Sequence, residues 1–198
     1  MYEGPITELK VQSVNKVLNY LVKEFGNSAS SIVHSADVVT LFMLTSTVLK
    51  AYSLTSHAGA IKDFFNTFLL TVAETQSAQS EQDLPFWNYK TYRKTSADSK
   101  GSIDHRLRIM LVAFLKDHPD LPRKDLQRDF DYWQRLAIFE KAEGCCQGDC
   151  PPGTYVRFED GQYHHVARWT DGGPTTVENG QFLCGPCHHN SHAGGTDE

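Results

Sequence analysis

All five cysteines of this 198-residue chain lie after residue 144, in a stretch dense with glycine, proline and histidine. Such a segment has few large apolar residues with which to build a core, so its thiols decide what it can fold into. Cys184 and Cys187 form "CGPC", a CxxC knuckle whose tight turn aims two sulfurs at one point. Upstream, "CCQGDC" offers Cys145, Cys146 and Cys150. Four thiolates from two knuckles make a closed tetrahedral zinc site, which holds together a module too small to fold unaided. Three cysteines compete for two upstream positions. Cys146 and Cys150 are expected to win, because the second Cys of "GCCQ" at a helix end turns inward. A structural Zn2+ held by Cys146, Cys150, Cys184 and Cys187 is the expectation, against free core thiols.

The rest of the chain bounds the setting. Hydrophobic residues are 40% and charged residues 22%, enough for a packed core and against wholesale disorder. The N-terminus lacks the basic-then-apolar pattern of an export signal. The longest apolar run, "VVTLFMLTSTVLKAY", is shorter than the roughly 20 residues of a membrane span. A cytoplasmic protein with no membrane partner is expected, and reduced thiols agree with metal binding. The net charge of −5 hides a pattern. Lys and Arg number 5 against 8 Asp and Glu in residues 1–84, 12 against 9 in 85–143, and 2 against 7 in 144–198.

Leu9, Val14, Val17, Leu18, Leu21 and Phe25 recur at helical spacing, and "SADVVTLFMLTSTVLKAYS" and "SHAGAIKDFFNTFLLTVAETQ" predict two more helices, each with a preceding Ser as cap. "SAQSEQDLPFWNYKTYRKTSADSKGS" breaks every period and reads as a basic loop. Its Lys90, Arg93 and Lys94, beside Trp87, Tyr89 and Tyr92, suit either a solvated loop or one that neutralises DNA phosphates. Ser102 is expected to cap "IDHRLRIMLVAFLKDH", and "FDYWQRLAIFEKAEG" is a further helix. Short β-prone pieces follow, "TYVRFE" and "YHHVARW".

Zinc alone leaves the histidines unexplained. His188 and His192 are four apart, so a helix starting near Cys187 would project both from one face. His164 and His165 are adjacent in a strand-like piece, so their side chains point to opposite sides. A site of His164, His188 and His192 leaves coordination positions open, as a catalytic rather than a structural ion requires. Arg168, three residues beyond His165, is placed either to contact phosphate or to rest on the surface beside Trp169.

The order HH, then Asn179 in "GGPTTVENGQFLC", then CxxCH resembles the HNH endonucleases and their ββα-metal fold. The paired histidines at both ends are closer to the HHNHH pattern of colicin-type nucleases. "RDFDYWQRLAIFEKAEGCCQ" is similar to the lead-in of zinc-stapled HNH domains in bacterial restriction-type proteins. Gly180 stands where a Leu usually follows the Asn, and "HNSH" replaces the basic residue usual after CxxCH. The resemblance implies that His165 is the general base, that Asn179 braces the loop and orients that base, and that His164 and His188 bind the catalytic metal.

The fold expected is α+β: a helical region with a basic loop over residues 1–119, then a zinc-stapled ββα-metal module over 120–198. The implied function is metal-dependent DNA endonuclease activity in bacterial restriction or anti-phage defence, using Mg2+, Mn2+, Ni2+ or Zn2+. DNA is the expected partner, with a partner protein or an N-terminal module of the restriction-type relatives as a further one. The rival is a non-catalytic zinc module that binds nucleic acid or protein.

Overall fold

The computed structural model describes residues 8–26, 34–78, 80–124 and 127–193, the side chains of residues 8–10, 192 and 193 excepted. The chain divides into two compact units, Met1–Leu111 and Val112–Glu198. The architecture is α+β, mostly helical with a single two-stranded sheet among the described residues.

The first unit is built from α1 (Glu8–Phe25), α2 (Ser35–Ala51), α3 (Ala60–Glu74), α4 (Leu84–Lys94) and the start of α5 (Lys100–Asp117). On α2 the buried Leu41, Leu44 and Val48 recur at helical spacing, and on α3 Ile61, Phe64, Phe65, Phe68 and Val72 form the matching row. The Phe25 ring meets Phe65 edge-on at 5.9 Å. Phe68 meets Tyr89 edge-on at 5.0 Å, which brings α4 onto α3.

Helix α4 corrects the expectation of a basic loop over the segment that holds Lys90, Arg93 and Lys94. Pro85 in its first turn gives up an N–H that would have had no intrahelical partner, so it does not break the helix. The missing amphipathic period has a tertiary explanation. Tyr89 is fully buried and its hydroxyl donates to Asp37 Oδ1 at 2.9 Å, while Arg93, one turn later, reaches Asp37 Oδ2 at 3.2 Å. Burial and the Asp37 carboxylate push the Tyr89 hydroxyl well above its ordinary pKa, which keeps it a donor. A buried polar network therefore replaces the apolar stripe by which helices are read from sequence.

This network carries a prediction. Asp37 and Arg93 expose only 2% and 10% of their side chains, so Arg93→Ala strands a buried carboxylate. It is expected to destabilise the first unit by about 3–5 kcal/mol in chemical denaturation, whereas Lys94→Ala, at an exposed position, is expected to change stability by less than about 0.5 kcal/mol. Equal effects of the two substitutions would contradict the network.

The caps also differ from expectation. Helices α2 and α3 begin after His34 and Gly59, neither of which makes a side-chain cap bond. Ser102 lies inside α5, and Ser99 Oγ accepts from its N–H at 3.2 Å. Arg106, fully buried, donates to Thr40 Oγ1 and to the Tyr92 and Ala97 carbonyls, which holds the α4–α5 turn.

The second unit contains α6 (Tyr132–Lys141), β1 (Gln162–His165), β2 (Gly180–Leu183) and α7 (Gly185–Ala193). Asp131 and Gln134 form a reciprocal capping box at the start of α6. The strands pair antiparallel, with Tyr163 opposite Phe182, His164 opposite Gln181 and His165 opposite Gly180. Phe182 and Leu183 are buried, and Phe139 of α6 meets Phe182 edge-on at 5.2 Å. The segment "TYVRFE" forms no strand. Tyr155 makes only an isolated bridge to Cys145.

Candidate active site

The hairpin and α7 bring the cysteines together. The sulfurs of Cys146, Cys150, Cys184 and Cys187 all lie within 4.8 Å of one another. Cys150 Sγ is 3.4 Å from Cys184 Sγ and 3.3 Å from Cys187 Sγ. A tetrahedral zinc with bonds of about 2.3 Å spaces its sulfurs by about 3.8 Å, so the four cysteines are positioned to bind one metal ion. Backbone N–H groups already point at these sulfurs: Gly148 and Cys184 donate to Cys146 Sγ, and Cys187 donates to Cys184 Sγ. Gly148 is required by space, since a Cβ there would lie 2.7 Å from Cys187 Cβ. Cys145 stays outside the cluster, its thiol 3.6 Å from the Glu143 carbonyl.

Proton competition within the cluster also suits a cation. The Cys187 N–H, followed by the Cys150 thiol, stabilises the Cys184 thiolate and pulls its pKa from 9.0 to about 7. Cys150, hydrogen-bonded to Cys187 and then to Cys184, is pushed up instead. The lowered Cys184 thiol favours metal binding, which requires sulfur ligands in the thiolate form.

The histidines lie on the other part of the hairpin. Successive residues of a strand face opposite sides, and the structure assigns each its company. The His164 ring lies 5.6 Å from the His188 ring of α7, nearly perpendicular to it. His165 stacks on Phe130 with ring centroids 4.3 Å apart. Gly180, opposite His165, makes room for this stack, because a Cβ there would collide with Ile138 and lie 3.4 Å from the Phe130 ring. His192 falls within α7, and its side chain lies outside the described residues.

His165 is held from its far edge. Its Nε2 lies 3.1 Å from Thr175 Oγ1, and that hydroxyl donates its only hydrogen to the Gln127 carbonyl at 2.7 Å. The oxygen can then only accept from Nε2–H, which leaves the imidazole lone pair on Nδ1. Burial, followed by the Arg128 guanidinium, holds the His165 pKa below its ordinary 6.5. The neutral ring is therefore the favoured form.

Asn179 closes the loop that leaves β1. Its Nδ2 donates to the Ala167 and Pro174 carbonyls at 2.9 and 2.8 Å, and its Oδ1 accepts from the Ala167 N–H at 2.7 Å. One side chain thus ties both ends of residues 167–174 together. A cleft of about 810 Å3 lies beside this loop, within the range of about 300–1,000 Å3 usual for ligand sites. His164, His165 and His188 line it together with Arg128, Arg135 and Arg168.

With two histidines on a β-hairpin, an Asn closing their loop and a third His on the following helix, the arrangement has the order of one nuclease family. Residues 146–194 match the HNH endonuclease family. Comparisons with curated proteins and with solved structures return no match. The matched segment thus contains the four cysteines that are positioned to bind a metal ion, together with Asn179, His164, His165 and His188.

Two cations of the cleft, Arg128 and Arg135, are not among the residues the sequence reading marks. Their signal was present: both belong to the lead-in "RDFDYWQR" that resembles zinc-stapled HNH domains, seven residues apart. Thr175 was missed for a different reason, since one hydroxyl in a polar loop carries no periodic mark. The three cations of α4 belong to the first unit. Arg93 is spent on Asp37, Lys90 donates to the Thr75 carbonyl at 2.8 Å beyond the end of α3, and Lys94 is exposed. Among the described residues no helix is long and apolar enough to cross a membrane.

Proposed function

We propose that the chain is a metal-dependent DNA endonuclease of the bacterial cytoplasm that hydrolyses phosphodiester bonds in defence against foreign DNA, with its nuclease module over residues 120–198. The observation that carries this reading is the division of labour in the HNH cleft. His165 is braced by Thr175 and stacked on Phe130, His164 meets His188, and three arginines line the same cleft. A purely structural zinc module has no use for such a set.

His165 takes the proton of the attacking water at its free imidazole nitrogen as the new bond to phosphorus forms and the bond to the 3′-oxygen breaks. The departing 3′-oxygen takes a proton from solvent, His165 returns its proton to solvent, and the products are a 5′-phosphate and a 3′-hydroxyl. Asn179 contributes by fixing the loop after β1, and Thr175 by fixing the ring. Arg128, Arg135 and Arg168 neutralise phosphate oxygens, and the exposed Lys94 of α4 is a separate candidate phosphate contact. The histidine donor set of His164, His188 and His192 suits a transition ion by ligand type, with Mg2+ as an alternative when substrate phosphate supplies oxygen ligands. A divalent ion held there would supply Lewis acidity to the phosphoryl oxygens and the leaving oxygen.

The direct test is plasmid nicking by the zinc-loaded protein with Mg2+, Mn2+ or Ni2+ added one at a time. Relaxed circles are expected with at least one ion and none without added metal. Intact supercoiled plasmid under every condition would remove the nuclease reading. The same assay reads the base. Because burial lowers the His165 pKa, the free base is lost only as pH falls through a value below 6.5. The kcat/KM is expected to be flat from pH 7 to 8 and to drop about tenfold per pH unit on the acid side. Arg128→Gln removes the nearby positive charge, so its acid limb is expected to move to higher pH. A limb that stays in place or moves lower would contradict this assignment.

A further inference from the structure

We propose that Trp169 is a stacking platform for a base of the bound strand, so that the HNH cleft accepts an unpaired or flipped-out nucleotide in preference to fully paired duplex. The proposal rests on the nuclease reading for the identity of the ligand as nucleic acid. Three observations converge on it.

The first is company. Trp169 lines the same cleft as His164, His165 and His188, and its chain neighbour Arg168 lines it too. The cleft gathers Arg128, Arg135 and Arg168 in a unit whose last 55 residues hold 2 Lys and Arg against 7 Asp and Glu. The other cation of that stretch, Arg157, is spent on Asp160 at 2.6 Å. Positive charge is therefore concentrated where an aromatic face is offered, the combination by which single strands are gripped.

The second is what the ring lacks. Every other Phe, Tyr and Trp of Val112–Glu198 packs against another ring. Among the described residues Trp169 has no ring partner, and it keeps 41% of its surface exposed. An indole left bare at the wall of a charged cleft is either a cost or a contact surface.

The third is rigidity. Trp169 opens a single 3₁₀ turn, Trp169–Asp171, whose ends are fixed by Gly172 N–H to the Trp169 carbonyl and Gly173 N–H to the Arg168 carbonyl. Asn179 ties the surrounding loop at Ala167 and Pro174. The backbone that carries the platform is thus held before ligand arrives, which lowers the part of the ordering cost that a mobile loop would add. In a paired duplex the bases stack on one another and hide their faces, so only an unpaired or extruded base can use an indole face.

The test is binding, read separately from cutting. Full-length zinc-loaded protein is titrated with one oligonucleotide as a single strand and with the same oligonucleotide annealed to its complement, without added divalent metal. The single strand is expected to bind roughly tenfold tighter or better, as one or more stacked bases would give. Trp169→Ala and Trp169→Leu are each expected to weaken single-strand binding by roughly five- to hundredfold, with duplex affinity and the slope of log affinity against log salt unchanged. Trp169→Phe, which keeps an aromatic face, is expected to restore most of the loss. The proposal is overturned if the wild type binds duplex as tightly as single strand, or if the Leu variant loses affinity for both equally. Plasmid nicking without any strand preference would leave the nuclease reading standing and remove this one. Strand preference lost in the Leu variant, with no nicking by the wild type, would do the reverse.

Discussion

Cys184→Ser is expected to release the bound metal and unfold the HNH module, while the helical signal of the first unit persists. Cys184 sits at the junction of three supports. Its sulfur belongs to the cluster, its N–H donates to Cys146 Sγ, and its carbonyl accepts from the His188 N–H at 3.0 Å in the first turn of α7. The apolar core available to compensate is small, centred on Phe182, Leu183, Ile138 and Ala137. Zinc bound by comparable peptides supplies about 10–16 kcal/mol of apparent folding free energy, more than such a core replaces. Elemental analysis with far-ultraviolet circular dichroism reads both effects. Cys145→Ser, outside the cluster, is expected to keep its zinc and its fold. Metal-free wild-type protein with an intact module would defeat the structural-zinc account.

His165→Ala is expected to lower cleavage by a factor of about 10²–10⁴ while leaving metal affinity unchanged. The expectation follows from direction: the ring faces Phe130 and Thr175, whereas His164 faces His188. His164→Ala, His188→Ala or His192→Ala is expected to weaken the catalytic ion instead, with activity partly recovered at high metal concentration. Calorimetry with Ni2+ or Mn2+ separates the two classes. Wild-type cutting by His165→Ala would refute its role as base. If all four variants cut normally, the non-catalytic binding module becomes the better account.

How much of this was legible depends on where the information lay. The cysteine spacings and the HH…N…CxxCH order are local patterns, and the metal cluster and the HNH match both concern the segment they mark. The α+β class followed from helical periods ahead of the Cys-rich tail. Helix α4 was illegible because its buried face is Tyr89 and Arg93 reaching Asp37, a carboxylate more than fifty positions away. No window along the chain can show that partner. The true cap of α5 was obscured by competition between Ser99 and Ser102, which only backbone geometry decides. Arg128 and Arg135 enter the cleft from ahead of the hairpin, and their convergence is a property of the fold.

The pairing of Tyr163 with Phe182 has a consequence for how such a chain can vary. Side chains alternate along a strand, so a one-residue slip of β1 against β2 would move Tyr163 out of its contact with Phe182 and exchange the sides taken by the two histidines. The pairing of half-buried Tyr163 with buried Phe182 therefore acts as a phase lock. Gaining or losing one residue within this strand would trade the proposed proton acceptor for the proposed ion ligand, even though both histidines were still present.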